Sequence, residues 1–255
     1  MNAPAWLRGG RAAAIFLTRV PLGGFPFSRD DWRWSSAYFP FVGLVLGAAQ
    51  AAVFAACSRA GPHVAATVAV IVSLLLTGAF HEDGLADTAD ALGGAYSRER
   101  VFEILKDSRV GSFGASALVV VLLLRILLLA RLDGLAPWAL VATQGASRVP
   151  PIWLMAVMPY VSSDAEAKSK LVARAGRPQA ALATAFGAVS VALVTYALPL
   201  SWRGAVALPL VGLLVAALCG WRFRARVGGL TGDFLGATQQ VGECALLLAI
   251  VLIHG

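Results

Sequence analysis

Long apolar runs return at short intervals along this 255-residue chain, and no other feature limits its fold so strongly. Seven stretches, roughly 36–57, 63–80, 113–131, 135–160, 180–200, 203–223 and 240–254, approach the ~20 residues a helix needs to cross a hydrocarbon core. Only 14% of the residues are charged, where a soluble domain carries roughly 25%. Mean hydropathy is +0.75. Lipid offers no hydrogen bonds to an open backbone, so such segments must be helices. The sequence predicts an all-α, polytopic integral membrane protein of about seven transmembrane helices, a single helical domain over 1–255.

Orientation follows from the basic residues. With the N-terminus inside, sixteen Lys and Arg fall in cytoplasmic segments: Arg8, Arg11, Arg19, Arg29 and Arg33; Arg98, Arg100, Lys106 and Arg109; Lys168, Lys170, Arg174 and Arg177; Arg222, Arg224 and Arg226. Three, Arg59, Arg131 and Arg203, fall outside. Cytoplasmic loops collect such residues, so the N-terminus is expected in the cytoplasm. The same rule explains the net charge of +7 without nucleic acid. The opening segment "MNAPAWLRGGRAAAIFLTRVP" is expected to lie along the interface, with Trp6 and Phe16 toward lipid.

The acids carry separate information. All except Asp133, including Asp164 and Glu166, fall on or near the expected cytoplasmic side. In "HEDGLADTADAL", residues 81–92, Asp83, Asp87 and Asp90 stand at i, i+4 and i+7 and share one helical face. Crowded carboxylates repel one another unless a cation neutralises them. Oxygen-only ligands suit Mg²⁺, with Mn²⁺ as a substitute. His81 beside them can serve as a base, a ligand or an interfacial hydrogen-bonder.

A second cluster, "EILKDSRVGSFGAS" at 103–116, sets Lys106 and Arg109 beside Asp107 and Ser108. Cations next to a metal-binding acid suit a pyrophosphate; basic anchors of an interfacial helix would read the same. A third cluster, "GGLTGDFLGATQQVGE" at 228–243, brings Asp233, Thr238, Gln239 and Glu243, with glycines that permit close approach. Arg125 and Arg148 lie near mid-span, where a charge must face the interior or a polar cavity. Pro150 and Pro151 should bend or interrupt the helix at Arg148.

These segments carry a resemblance. "HEDGLADTADAL", "KDSRVGSFG" and "GLTGDFLGA" resemble, in order and spacing, the hallmark segments of the cobalamin synthase family, the adenosylcobinamide-GDP ribazoletransferases. "FLTRVP" at 16–21 and "YFPFVGLVLG" at 38–47 are similar to that family's N-terminal segments. The resemblance runs from about residue 14 to about 249. Glu82 departs from it, standing where an uncharged residue is expected.

The resemblance implies a multi-pass bacterial inner-membrane enzyme with a cytoplasmic active site, acting late in vitamin B12 biosynthesis. It would join adenosylcobinamide-GDP to α-ribazole or its 5′-phosphate, release GMP and need Mg²⁺. Metal and pyrophosphate would sit on Asp83, Asp87, Asp90 and Asp107. Catalysis would rest on Asp83, Asp87, Asp107, Lys106 and Arg109. Substrate contacts would come from His81, Ser108, Arg148, Asp233 and Glu243. Membrane lipid is an expected partner, and a homo-oligomer is compatible with the chain. Two alternatives stand beside this: a CDP-alcohol phosphotransferase-like phospholipid enzyme, whose Asp-Gly motif carries an Arg that residues 81–92 lack, and a cation-coupled transporter, which calls for carboxylates near the midplane.

Overall fold

A computed structural model describes residues 4–23, 27–161, 175–198 and 202–254. Lys168, Lys170, Arg174, Asp164 and Glu166, which enter the orientation argument, lie outside the described residues.

Among the described residues the chain is helical, with one isolated bridge between Tyr160 and Leu230. The helices are α1 (Ala5–Leu17), α2 (Arg29–Ser35), α3 (Phe39–Cys57), α4 (Pro62–Thr77), α5 (Phe80–Gly94), α6 (Arg98–Ile104) and α7 (Ser112–Leu132), followed by α8 (Ala136–Ala146), α9 (Val149–Val157), α10 (Arg177–Ala197), α11 (Trp202–Val227) and α12 (Gly232–His254). Five continuous helical stretches are long and apolar enough to cross a membrane, and α4 with α5 makes a sixth if the pair is taken as one span. One of the five, Ser112–Val157, runs to 46 residues, over twice the ~20 of a single crossing.

Apolar side chains cover much of the exterior. Leu75, Val120, Leu123, Leu127, Leu214 and Leu218 all stand exposed. In water such a coat would be an aggregation surface; against lipid tails it is the natural exterior. The polar groups that matter are inside.

Two features break the helices, the first as the sequence predicts and the second not foreseen in it. Between α8 and α9 the chain leaves the helix at Ser147 and Arg148, just ahead of Pro150 and Pro151. Between α4 and α5 the backbone turns by 90°. Gly78 (φ 66°) and Ala79 (φ 56°) are both left-handed there, a conformation glycine adopts freely and alanine only when its surroundings enforce it. The turn takes α5 out of the crossing direction.

Four sets of contacts then hold the turn and α5. The backbone amide of Arg19 donates to the Leu76 carbonyl (2.7 Å), one of the acceptors left open at the end of α4. Arg222 (3.4 Å) and Arg226 (3.2 Å) of α11 donate to the Leu92 carbonyl at the far end of α5, and Arg226 also reaches the Ala95 carbonyl. The Asp90 carboxylate binds the start of α7, and α12 packs along the remaining face.

One expectation is corrected. Phe16 does not face lipid: its ring stacks on Phe39 (centroids 5.7 Å apart) and meets Phe80 edge-on (5.3 Å). These aromatic contacts leave the Phe16 side chain half-buried. Trp6, 48% exposed, keeps the outward position expected of it.

Candidate active site

The site begins where α5 crosses α12. A Cβ on Gly84 would lie 2.9 Å from the Asp233 carbonyl oxygen, and one on Gly236 would lie 3.3 Å from the His81 carbonyl oxygen. The two backbones therefore approach more closely than side chains would permit. This contact sets Asp83 and Asp87 beside Asp233, which stands in the first turn of α12. Burial, followed by the charges of Asp83, Asp233 and Asp90, pushes the Asp87 carboxyl up to about 6.

Asp90 has a different task. One carboxylate oxygen accepts from the Gly111 amide (2.7 Å) and the other from the Gly114 amide (2.9 Å). Asp90 thus caps the first turn of α7 from another helix, where donors lack partners and the helix dipole favours an anion. Both glycines are required by packing, since a Cβ at either would strike the Asp90 carboxylate. The predicted shared face of Asp83, Asp87 and Asp90 exists, but its outermost member is engaged by backbone amides.

Asp107 is tied to Arg109. Arg109 Nε donates to Asp107 Oδ1 (2.9 Å) and Nη2 to Oδ2 (2.6 Å), and the Arg109 amide also donates to Oδ1 (3.1 Å). Those hydrogen bonds hold the Asp107 carboxyl down at about 2. Lys106, Ser108 and Arg109 are exposed in the loop between α6 and α7. The next residue, Val110, lines a wide cleft with Arg19, Phe16, Phe80, Glu82 and Asp83. That cleft is open to solvent and spans about 1050 Å³, the solvent at its mouth included. Arg19 lines the same cleft as Asp83 and brings it a cation, a role that sequence reasoning missed. Its place inside "FLTRVP" was the available signal.

A smaller, partly open cavity, spanning about 530 Å³ with the solvent at its mouth included, shares Phe16 and Phe80 with the cleft. Phe39, His81, Arg148 and Met155 also line it.

Behind both lies a buried polar network. Arg125, with no exposed surface, pairs with Glu82 and with Glu243 at 2.9 Å each. Gln240 donates to Glu82 (3.0 Å), and Gln144 (2.8 Å) and Gln239 (3.0 Å) donate to Glu243. Arg148 donates from Nη1 to the carbonyl and side-chain oxygen of Gln144. Two carboxylates and two guanidinium groups balance within the bundle, as buried charge requires. Glu82 therefore neither joins the carboxylate row nor faces solvent. Glu243 was expected at the substrate, but the network already occupies both of its oxygens.

Among the described residues no three His, Cys, Asp or Glu groups enclose a metal by themselves. Mg²⁺ does not demand that, because it keeps several waters and is often bound through one or two carboxylates plus substrate phosphates. Asp83, Asp87 and Asp233 supply oxygen donors of the right chemistry, and the Asp87 carboxyl is raised by burial first and then by a mutual repulsion that a cation would relieve. The residues fit the ion.

Comparison with known proteins identifies the family. The family model described as cobalamin-5-phosphate synthase matches residues 9–251. The chain belongs to the cobalamin-5-phosphate synthase family. It is 40% identical over 247 residues to a protein of Shewanella piezotolerans named adenosylcobinamide-GDP ribazoletransferase, covering 92% of each chain. Proteins of the same name from Polaromonas naphthalenivorans (39% identical, 94% of this chain and 96% of the relative) and Vibrio cholerae (39%, 94% and 91%) are similar to it along comparable lengths. No solved structure matches.

For this member of the synthase family, the geometry divides the expected residues into groups. Asp83, Asp87 and Asp233 come together at the helix crossing, with Asp90 bracing them. Asp107, Lys106, Ser108 and Arg109 form the loop that leads into the cleft. His81 and Arg148 turn to the smaller cavity, and Glu243 lies in the network behind it.

Proposed function

We propose that this chain joins adenosylcobinamide-GDP to α-ribazole or its 5′-phosphate and releases GMP, a late step of vitamin B12 biosynthesis. A ribose hydroxyl of the ribazole attacks the phosphorus bonded to the cobinamide arm. A new P–O bond forms there, the P–O bond to GMP breaks, and the hydroxyl proton is released. Asp83, Asp87 and Asp233 would hold Mg²⁺, which when bound neutralises charge on the pyrophosphate oxygens. Arg19 faces the same cleft and adds a cation for the phosphates, while Arg109 and Lys106 would take up charge on the departing GMP. Such a transfer consists mostly of positioning and charge stabilisation, so acids and cations fixed on rigid helices suffice.

The observation that supports this reading is the Gly84–Gly236 crossing, which gathers three carboxylates beside a cleft that also holds an arginine. We further read the chain as crossing the bacterial inner membrane seven times, with Ser112–Val157 divided at Asp133–Leu135. The N-terminus and the active site would face the cytoplasm. The test uses protein purified in detergent and measures GMP. Release should require adenosylcobinamide-GDP, α-ribazole (or its phosphate) and Mg²⁺ together, and stop with EDTA. GMP release indifferent to the ribazole would contradict the assignment.

A further inference from the structure

The smaller, partly open cavity has a composition that the phosphate chemistry does not explain. Its walls are aromatic and aliphatic: Phe16 stacked on Phe39, Phe80 edge-on to Phe16, His81 edge-on to Phe80 (5.4 Å), and Met155 and Leu235. Into this apolar lining come three polar side chains. Gln239 is satisfied, since its nitrogen donates to Ser147 and Glu243 and its oxygen accepts from Gln240. Arg148 is not. It is 3% exposed, its hydrogen bonds leave from Nη1 alone, and its buried Nε has no acceptor. The His81 ring, also buried, makes no hydrogen bond among the described residues. A buried donor without a partner is costly, and at a cavity wall it points to a ligand that supplies the acceptor.

We propose that this cavity receives the base of the ribazole, a dimethylated benzimidazole. The assignment rests on the ribazoletransferase reading above. That base is flat, aromatic and apolar at its methyl edge. Once joined to ribose it presents one ring nitrogen as an acceptor and no donor. A stacked aromatic wall with unsatisfied nitrogens on Arg148 and His81 matches it. Position agrees as well: the cavity and the cleft share Phe16 and Phe80. A base in the cavity would place its ribose hydroxyl toward the cleft, where Asp83 lies.

The test fills the cavity from two helices. Met155→Phe on α9 and Leu235→Phe on α12 are compared with the full-length wild type, checking folding by thermal melting. Each should raise KM for α-ribazole by about tenfold or more, the range a methylene-sized mismatch produces in an apolar pocket. KM for adenosylcobinamide-GDP should stay within about twofold (under 0.5 kcal/mol at 1.36 kcal/mol per tenfold). Met155→Ala removes atoms and keeps the test available if the larger residues prevent folding. It should weaken the preference for the dimethylated over the unmethylated benzimidazole riboside. Equilibrium dialysis of α-ribazole alone should show the same losses. A KM rise confined to adenosylcobinamide-GDP, equal rises for both substrates, or no change for either in folded variants would each overturn the base pocket. Failure of wild-type protein to release GMP with α-ribazole would instead overturn the underlying reading.

Discussion

Arg125 on α7 and Glu243 on α12 stand 2.9 Å apart with essentially no exposure, and Glu82 on α5 completes the bridge from the other side. One guanidinium thus ties together the two helices that carry the carboxylates. Arg125→Met should leave two buried carboxylates short of a partner and lower stability by about 3–5 kcal/mol, the usual effect of breaking a buried pair. Adding Glu82→Met should restore part of that loss. Thermal unfolding in detergent measures both; strictly additive losses would mean the pair is not coupled.

Asp90 is predicted to behave as a cap rather than as a metal ligand. Asp90→Ala removes the acceptor for two amides of α7 and should lower stability by about 0.5–2 kcal/mol. The Mg²⁺ concentration for half-maximal GMP release should remain within about threefold of wild type, a shift worth less than the 1.36 kcal/mol of a tenfold change. A tenfold or larger shift in that concentration would place Asp90 at the ion.

The α5–α12 crossing sets a steric limit. Gly84→Ala puts a methyl 2.9 Å from the Asp233 carbonyl oxygen, so the helices must separate by several tenths of an ångström. Misplacement of about 1 Å can reduce turnover by 10², so we predict at least a tenfold fall in kcat in protein that still melts cooperatively. Gly236→Ala, with its nearest atom at 3.3 Å, should be milder. Equal activity of Gly84→Ala and wild type would separate this contact from catalysis.

Arg109 and Asp107 form an exposed pair, so neither should matter much for stability. Arg109→Ala should instead lower kcat at least tenfold, about 1.4 kcal/mol, and kcat/KM with it, as expected for a contact made in the transition state. Arg109→Lys should recover only part, since a point charge does not reproduce the planar fork. Because Arg109 depresses the Asp107 carboxyl, their pairing is present above the ordinary carboxylate range and is lost only as pH falls toward about 2. Any acid limb near pH 6 in the rate profile must therefore come from another group. Unchanged kcat in Arg109→Ala would remove this loop from the active site.

Much of this could be read from the residues before any coordinates. Apolar run length gave the helices, and Pro150 and Pro151 located the break at Arg148. Periodicity also put Asp83, Asp87 and Asp90 on one face. It could not show which helix packs opposite that face, because spacing within a helix carries no information about its neighbour. Hence Asp233 joined the cluster only by motif, and the engagement of Asp90 with amides 21 and 24 residues downstream was invisible. Glu82 was legible in part. Adjacent helical residues point about 100° apart, so the neighbour of a cleft-facing Asp83 should turn inward, toward a buried cation such as Arg125.

The central claim is that Asp83 and Asp87, set against Asp233 by two glycines, hold the metal that makes the pyrophosphate reactive. Mg²⁺ titration of GMP release by purified wild type, Asp83→Asn and Asp87→Asn, each verified as folded, tests it directly. The account predicts turnover reduced by roughly 10² or more in both variants, the scale for losing one transition-state contact, with any residual activity needing far more Mg²⁺. Near-normal turnover of Asp87→Asn at ordinary Mg²⁺ would contradict it.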